Sequence, residues 1–373
     1  MTQVIKKRTI VIASVLKPVD DARMFEKMGQ TLADTGNHEV HIIGFPSDKS
    51  HAYPNLILHP LQRFPRLGIQ RVLAPFRIFR MIREINPDLL IVTTHELLIA
   101  AVAVRMMDKT PIIYDIRENY FRNILFLPSF PIFFRPILAL WVRAWEKILS
   151  PFVNHMIVSE KGYLKELPFT GEGTVVIENK VKRDAIAPHT HTHPGTGMNL
   201  IFSGTIAEST GVFTAIQVAT TLHESDPEVT LTIIGYCAQR ETLQRIMALI
   251  ADRDFIRLEG GDRLVPHDEI MSAIASADFG IIAYPPNPST RNTVPTKLYE
   301  YLGSQLPILL INHPPWMELC APYGAALIFD PRFVRSEVLL PQMRTTTFYT
   351  SPPGDDVFWE GEGRKLVELV GKC

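Results

Sequence analysis

Short apolar runs of strand length alternate with amphipathic stretches of helix length along most of this 373-residue chain. The run TIVIASVL is followed by the helix-period stretch DARMFEKMGQTLADTG, then by HEVHIIGF, and the alternation continues to PIIYD, which ends at Asp115. Apolar runs of about four to eight residues between turn signals predict strands buried on both faces, and the amphipathic stretches between them predict crossover helices. Such alternation predicts a parallel sheet covered by helices on both sides.

The pattern breaks at VKRDAIAPHTHTHPGTGMN, residues 181–199, which is polar, rich in Pro, Gly and Thr, and without periodicity. It restarts with LIFSG and runs through TGVFTAIQVATTL, EVTLTIIG, QRETLQRIMALIA, FIRLEG, DEIMSAIASA, DFGIIAY, PILLI and AALIF. After Asp330 it fades, leaving GDDVFWEGEGRKLVELV as one last helix expected to pack back on the first half. A chain of this length exceeds what one hydrophobic core commonly supports. The expected organisation is an N-terminal doubly wound α/β domain over 1–183, a linker over 184–198, a second doubly wound domain over 199–345 and the closing helix within 346–373. In sheets wound this way ligands bind beyond the carboxyl ends of the strands, so the expected site is a crevice between the domains.

Composition adjusts this picture at two points. Lys and Arg number 38 against 39 Asp and Glu, yet residues 60–150 hold 13 of the former and 7 of the latter, so a basic stretch sits inside a neutral chain. Cys237, Cys320 and Cys373 are too widely spaced for a disulfide framework or a zinc pair, which fits a reducing compartment, with the cytoplasm as the expected location. The start, VIKKRTIVIASVL, places basic residues before a short apolar run, but that run ends in KPVDD with no small-residue cleavage site and reads as a first buried strand rather than a signal peptide.

Several familiar chemistries are missing. A dinucleotide-binding first turn would carry G-x-G-x-x-G, and ASVLKPVDDAR has no glycine there. No Walker A loop, G-x-S-x-G elbow or H-E-x-x-H helix occurs. His189, His191 and His193 in HTHTH share one side of an extended chain, but no Asp, Glu or Cys accompanies them, and a solvated linker is the better reading. Asp252 and Asp254 in DRD mimic a metal-binding triplet of another transferase class, and a helix-to-strand turn accounts for them better. No metal site is assigned.

One helix carries candidate chemistry. In VPTKLYEYLG, Pro295 falls at the start of a helix, and Lys297 and Glu300 project from one side of it. A helix N-terminus offers free N–H groups and partial positive charge to an anion. A cation there suits a diphosphate, and a carboxylate one turn on, able only to accept hydrogen bonds, suits a pair of sugar hydroxyls. The competing reading is a surface ion pair worth ~0.2–0.5 kcal/mol.

The context of that helix, ADFGIIAYPPNPSTRNTVPTKLYEYLGSQLPILL, resembles the nucleotide-sugar site of the family 4 glycosyltransferases, whose GT-B fold sets two Rossmann-like domains facing each other across a cleft. The resemblance runs through nearly the whole chain. DARMFEKMGQTLADTGNHEVHIIG, INPDLLIVTTHELLIAAVAV and PIIYDIREN resemble the first domain of that family, and IFSGTIAESTGVFTAIQVATTL with IRLEGGDRLVPHDEIMSAIASADFGIIAY resembles its diphosphate and base segments. Matched by position, Glu300 corresponds to the glutamate that binds the ribose hydroxyls, and Lys297 lies by the phosphates. Gly204 and Thr205 are implied to bring backbone close to the pyrophosphate, and Gly260 to Val265 to border the base. Arg117 and Glu118 match the edge of the first domain that meets donor sugar and acceptor, and with Lys297 form the implied catalytic set; on residues alone they also fit a strand-end ion pair.

The chain departs from the family in places. Many members have a glutamate where Asn292 stands, contacting the donor sugar, and Arg and Lys in the glycine loop where this chain has Thr205 and Thr210. Those changes leave Lys297 and Arg291 as the expected phosphate partners. The resemblance implies a retaining, metal-independent transfer of a sugar from a nucleoside-diphosphate sugar to an acceptor hydroxyl, with no cofactor beyond the donor substrate. Similar proteins work in surface-polysaccharide or lipid-linked glycan assembly, which implies a glycan or lipid-linked acceptor and no nucleic-acid partner. A nucleotide-sugar epimerase and a catalytically inactive partner subunit are the alternatives on the same fold.

The basic, aromatic stretch 63–145, opening with RFPRLGIQRVLAPFRIFRMIR, has two readings. A surface rich in Arg, Phe and Ile can lie on the anionic inner face of a membrane, and the same pattern fits core helices with solvated arginines. Within it, ILFLPSFPIFFRPILALWV is the most apolar run, but its prolines and Arg135 argue against a spanning helix.

Overall fold

A computed structural model describes residues 7–47, 52–65, 68–126, 130–187, 197–288 and 290–373. The chain divides into two compact units, one of Met1–Asn179, Arg291–Thr293 and Gly361–Cys373, the other of Lys180–Thr290 and Val294–Glu360.

The first unit is built on β1 (Arg8–Pro18), β2 (His38–Phe45), β3 (Leu56–Pro60), β4 (Leu89–Val92), β5 (Ile112–Ile116), β6 (His155–Val158) and β7 (Thr174–Val176). They lie in the order β3-β2-β1-β4-β5-β6-β7, every pairing parallel. Ile10, Val11, Ile12 and Ala13 are fully buried, as are all four residues of β4, because helices cover both faces. The crossovers are α1 (Gln30–Asp34), α2 (Ile69–Ile85), α3 (Leu98–Asp108), α4 (Tyr120–Phe126), α5 (Arg135–Leu149) and α6 (Tyr163–Glu166). The first predicted helix is not α throughout: it opens as a π-helix over Arg23–Gly29, with Lys27 N–H bonded to the Ala22 carbonyl five residues back at 3.0 Å. Within that wider turn Arg23, Met24, Phe25, Lys27 and Met28 are all buried.

The second unit repeats the plan with β8 (Met198–Thr205), β9 (Val229–Tyr236), β10 (Ile256–Gly261), β11 (Phe279–Ile282), β12 (Ile308–Ile311) and β13 (Ala326–Phe329), in the order β10-β9-β8-β11-β12-β13. Its helices are α7 (Val212–Ser225), α8 (Arg240–Ile250), α9 (His267–Ala275), α10 (Thr296–Gly303), α11 (Pro314–Cys320) and α12 (Ser336–Thr345). α12 falls where the apolar pattern fades, because it buries only Leu339 and Met343 and contains Pro341. The last helix, α13 (Trp359–Gly371), groups with the first unit from Gly361 onward. Asp252 and Asp254 lie in the turn between α8 and β10. The histidine tract at 189, 191 and 193 is outside the described residues.

One ion pair locks the π-helix onto the first sheet. Arg23 Nε and Nη2 donate to the two oxygens of Asp115 on β5 at 2.9 and 2.7 Å, and Nη2 also donates to the Ile177 carbonyl at 3.0 Å. The side chains are 1% and 0% exposed. A fork of this kind satisfies both buried charges, and removing one partner strands the other. Arg23→Met is expected to destabilise the first unit by ~3–5 kcal/mol in denaturant titrations, and adding Asp115→Leu to recover much of that loss. Equal instability of single and double variants would show that the charge pairing is not what holds the helix.

Candidate functional site

In the second sheet the chain order reverses between β8 and β11, the switch point at which this architecture takes ligands beyond the carboxyl ends of its strands. Gly204 on β8, Gly235 on β9 and Gly260 on β10 stand in register there, with φ of +84°, +146° and +86°. A Cβ on Gly235 would lie 1.7 Å from the Gly204 carbonyl oxygen, and one on Gly260 would lie 2.4 Å from both the Gly235 carbonyl oxygen and Val265 Cγ2. Only glycine fits this tier, and the edge it leaves is bare backbone. From Thr205 the chain turns into α7 through Gly211, whose φ of +87° brings it against the Ala283 backbone at the end of β11. Thr210 closes that loop: its hydroxyl lies 2.9 Å from the Thr205 carbonyl and receives Ala207 N–H at 3.1 Å. In place of a charged loop residue, this chain has a hydroxyl committed to its own backbone.

α10 is held against the same edge. Tyr301 packs its ring over Gly280 of β11, where a Cβ would clash at 2.4 Å, and its hydroxyl lies 3.0 Å from Ser203 Oγ and receives Ser203 N–H at 3.2 Å. This anchoring sets Lys297 and Glu300 beneath the glycine tier, 5% and 7% exposed, so the surface ion-pair reading does not hold. Lys297 Nζ makes no hydrogen bond and sits 3.8 Å from the centre of the Phe202 ring and 5.5 Å from that of Tyr284. Its Cε lies 4.0 Å from where a Cβ of Gly204 would be. Burial pulls its pKa down from the ordinary 10.5 to about 7, with Glu300 opposing the shift. Glu300 Oε1 lies 3.3 Å from His267 Nε2, in the first turn of α9. His267 was not singled out from sequence; it stands two residues past the Gly260–Val265 segment, in a helix start that carries no motif of its own.

The carboxyl end of the first sheet has its own cluster. Arg117, just past β5, pairs with Asp21 at 2.8 Å, their side chains 12% and 13% exposed. Burial opposes ionisation of Asp21, but Arg117 and Lys17 outweigh it and hold the carboxyl at about 2. Glu118 accepts from the Asn123 amide at 2.8 Å. Beside them the His95 and Tyr120 rings lie 4.5 Å apart, tilted by 57°, and burial depresses the His95 pKa, with Glu96 opposing.

The structure therefore brings Gly204, Thr205, Gly260, Val265, Lys297 and Glu300 to one edge of the second sheet. Arg117 and Glu118 lie at the carboxyl end of β5 in the first unit. Arg291 and Asn292 also group with the first unit, Arg291 exposed and Asn292 donating to Glu166 at 2.6 Å.

No protein-family profile matches the sequence, and no curated protein matches it. Solved structures match almost its whole length. Sucrose-phosphate synthase from Thermosynechococcus elongatus superposes with a TM-score of 0.72 at 14% identity, over 98% of this chain and 99% of that one. The Anabaena protein Alr3699/HepE, crystallised in complex with UDP, gives 0.67 at 13% identity over 98% and 100%. The α,α-trehalose 6-phosphate synthase from Burkholderia multivorans gives 0.60 at 13% over 98% and 95%. At such identities the likeness is one of fold, and with two all-parallel sheets of seven and six strands this chain has the GT-B fold.

Proposed function

We propose that this protein is a glycosyltransferase that moves a sugar from a uridine-diphosphate sugar to an acceptor hydroxyl. The observation that carries the reading is Lys297: a buried amine without a hydrogen bond, held against a backbone edge from which side chains are excluded. A buried cationic group left unpaired costs stability, and an anion laid along the glycine tier supplies the missing partner. The chemistry that fits is a diphosphate at Lys297, with Glu300, steadied by His267, accepting from the ribose hydroxyls and with Gly260 and Val265 beside the base. UDP is the nucleotide of choice because Alr3699/HepE, a protein of this fold, has been crystallised with UDP and with UDP-glucose.

In this reading Lys297 stabilises the charge that develops on the departing diphosphate, the largest contribution a protein makes to such a transfer. Arg291 is a second phosphate partner and Asn292 meets the donor sugar. Arg117 and Glu118 form the edge that meets the donor sugar and the acceptor. The transfer retains anomeric configuration and needs no metal. The acceptor is a glycan or a lipid-linked glycan, presented at the inner face of a membrane during polysaccharide or lipid-linked glycan assembly.

Incubation with UDP-sugars, with and without candidate acceptors, tests the reaction class: UDP release that depends on acceptor is expected, and conversion of the nucleotide sugar without acceptor would replace this reading with an isomerase. In thermal melts UDP is expected to stabilise the wild type, and Glu300→Ala to reduce that shift. Lys297→Met is expected to melt higher than the unliganded wild type by about 1 kcal/mol, while losing the UDP shift. A variant that melts lower and still responds to UDP would make Lys297 a structural residue. Proton uptake gives an independent check. The Lys297 amine is mostly neutral above pH 7 and an adjacent anion raises its pKa, so UDP affinity falls as pH rises from about 7 to 9, by at most about tenfold per unit. Calorimetric titration of wild type and Lys297→Met across that window should show the slope in the first and a flat profile in the second.

A further inference from the structure

The helix that follows α4 is inverted in its burial. α5 turns Ala139, Val142 and Glu146 inward, at 0%, 3% and 1% exposure, and turns Ile137, Leu140, Trp141 and Ile148 outward, at 66%, 62%, 55% and 60%. Those outward positions recur at helical spacing and form one apolar stripe. The chain entering the helix extends it with Phe133 and Phe134, 86% and 60% exposed. α3 packs against both α5 and α2, and α2 carries a second stripe, Ile69, Val72 and Phe76, exposed by 76%, 69% and 68%. Single exposed apolar residues are ordinary on a soluble protein; an ordered stripe along a helix marks an interaction surface.

The charges around the stripes choose the partner. Between Tyr120 and Leu149 the chain carries Arg135 and the exposed Lys147, with Arg122 paired to Glu166 and Arg143 turned in toward Asn119, and its one carboxylate, Glu146, is buried. On α2, Arg77 and Arg80 are exposed on the turns after Phe76. A second copy of this chain, docked isologously, would set these cations against themselves. A surface that is apolar beneath and anionic on top satisfies both features. No described helix is long and apolar enough to cross a membrane. α5 has 15 residues, roughly 22 Å at about 1.5 Å per residue, short of the hydrocarbon thickness of a bilayer.

We infer that the face formed by α5 and its entry segment docks on an anionic lipid bilayer, the aromatic and aliphatic side chains entering the acyl boundary and the exposed basic side chains meeting the lipid phosphates. This names the surface for the membrane-side acceptor of the proposed function, but it stands on exposure and charge and not on the donor site. The two can therefore fail separately. The test is sedimentation of the full chain with phosphatidylcholine vesicles and with vesicles containing about 30% phosphatidylglycerol, at low and high salt. The wild type should pellet with the anionic vesicles and much less with the zwitterionic ones, and salt should weaken the partition. Phe133→Ser combined with Trp141→Ser should lower it by at least about tenfold, since two exposed aromatics lose their burial. The melting temperature of that double variant without ligand should match the wild type, which shows that the fold is intact whether or not UDP binds. Absence of wild-type binding to anionic vesicles, or equal binding by the double variant, would overturn the inference. So would a wild-type dimer that the double variant dissolves, which would assign the face to a second copy.

Discussion

The close approach of three strand ends governs the second unit. Gly204, Gly235 and Gly260 carry positive φ in register, and at Gly235 and Gly260 the neighbouring atoms also leave no room for a side-chain carbon. A parallel sheet ordinarily ends in a fringe of side chains; here it ends in peptide groups, with Val265 filling the space a Cβ of Gly260 would need and the Lys297 side chain lying alongside Gly204. That constraint fixes where the helices can start, because Gly211 and Gly280 repeat the same economy of space for α7 and for Tyr301 of α10. A donor with a bulky anionic middle can lie along such an edge where it could not lie along an ordinary one.

Two buried charges, one in each unit, are held differently. In the first, Arg23 and Asp115 satisfy each other in a two-point fork, and Arg117 answers Asp21. These are arrangements of a finished structure. In the second, Lys297 is buried among Phe202 and Tyr284 with no acceptor in reach, and its proton is loosely held as a result. A buried amine with no hydrogen bond gives up stability at that position, which is the cost the proposed ligand would offset. The outward stripe of α5 stands apart from the core: its apolar side chains stay more than half exposed, while Glu146, pointing inward, meets the Tyr114 hydroxyl at 2.9 Å.

Much of this could be read from one sequence, and the reasons differ from residue to residue. Strands such as β1 and β4 are legible because burial on both faces demands an unbroken apolar run, and the crossover helices because their period differs from it. Lys297 and Glu300 are legible as a pair because three residues of helix put them on one side. Their burial is not, since LYEYLG reads as amphipathic and only Tyr301 over Gly280 and under Ser203 shows how the whole helix sinks into the sheet. Gly235 and His267 escaped notice because each is an isolated residue whose meaning lies in what stands opposite it: Gly204 across the sheet for one, Glu300 on another helix for the other.

The alternation of apolar runs by itself determined the fold class and the doubly wound plan, because hydrophobic burial and right-handed crossovers leave few other solutions. Tertiary structure alone decided that Lys297 is unpaired, that three glycines form one tier and that the apolar face of α5 turns outward. Those are properties of distance between segments remote in sequence, and the energy of an unpaired charge or an unburied ring depends on what packing brings near it.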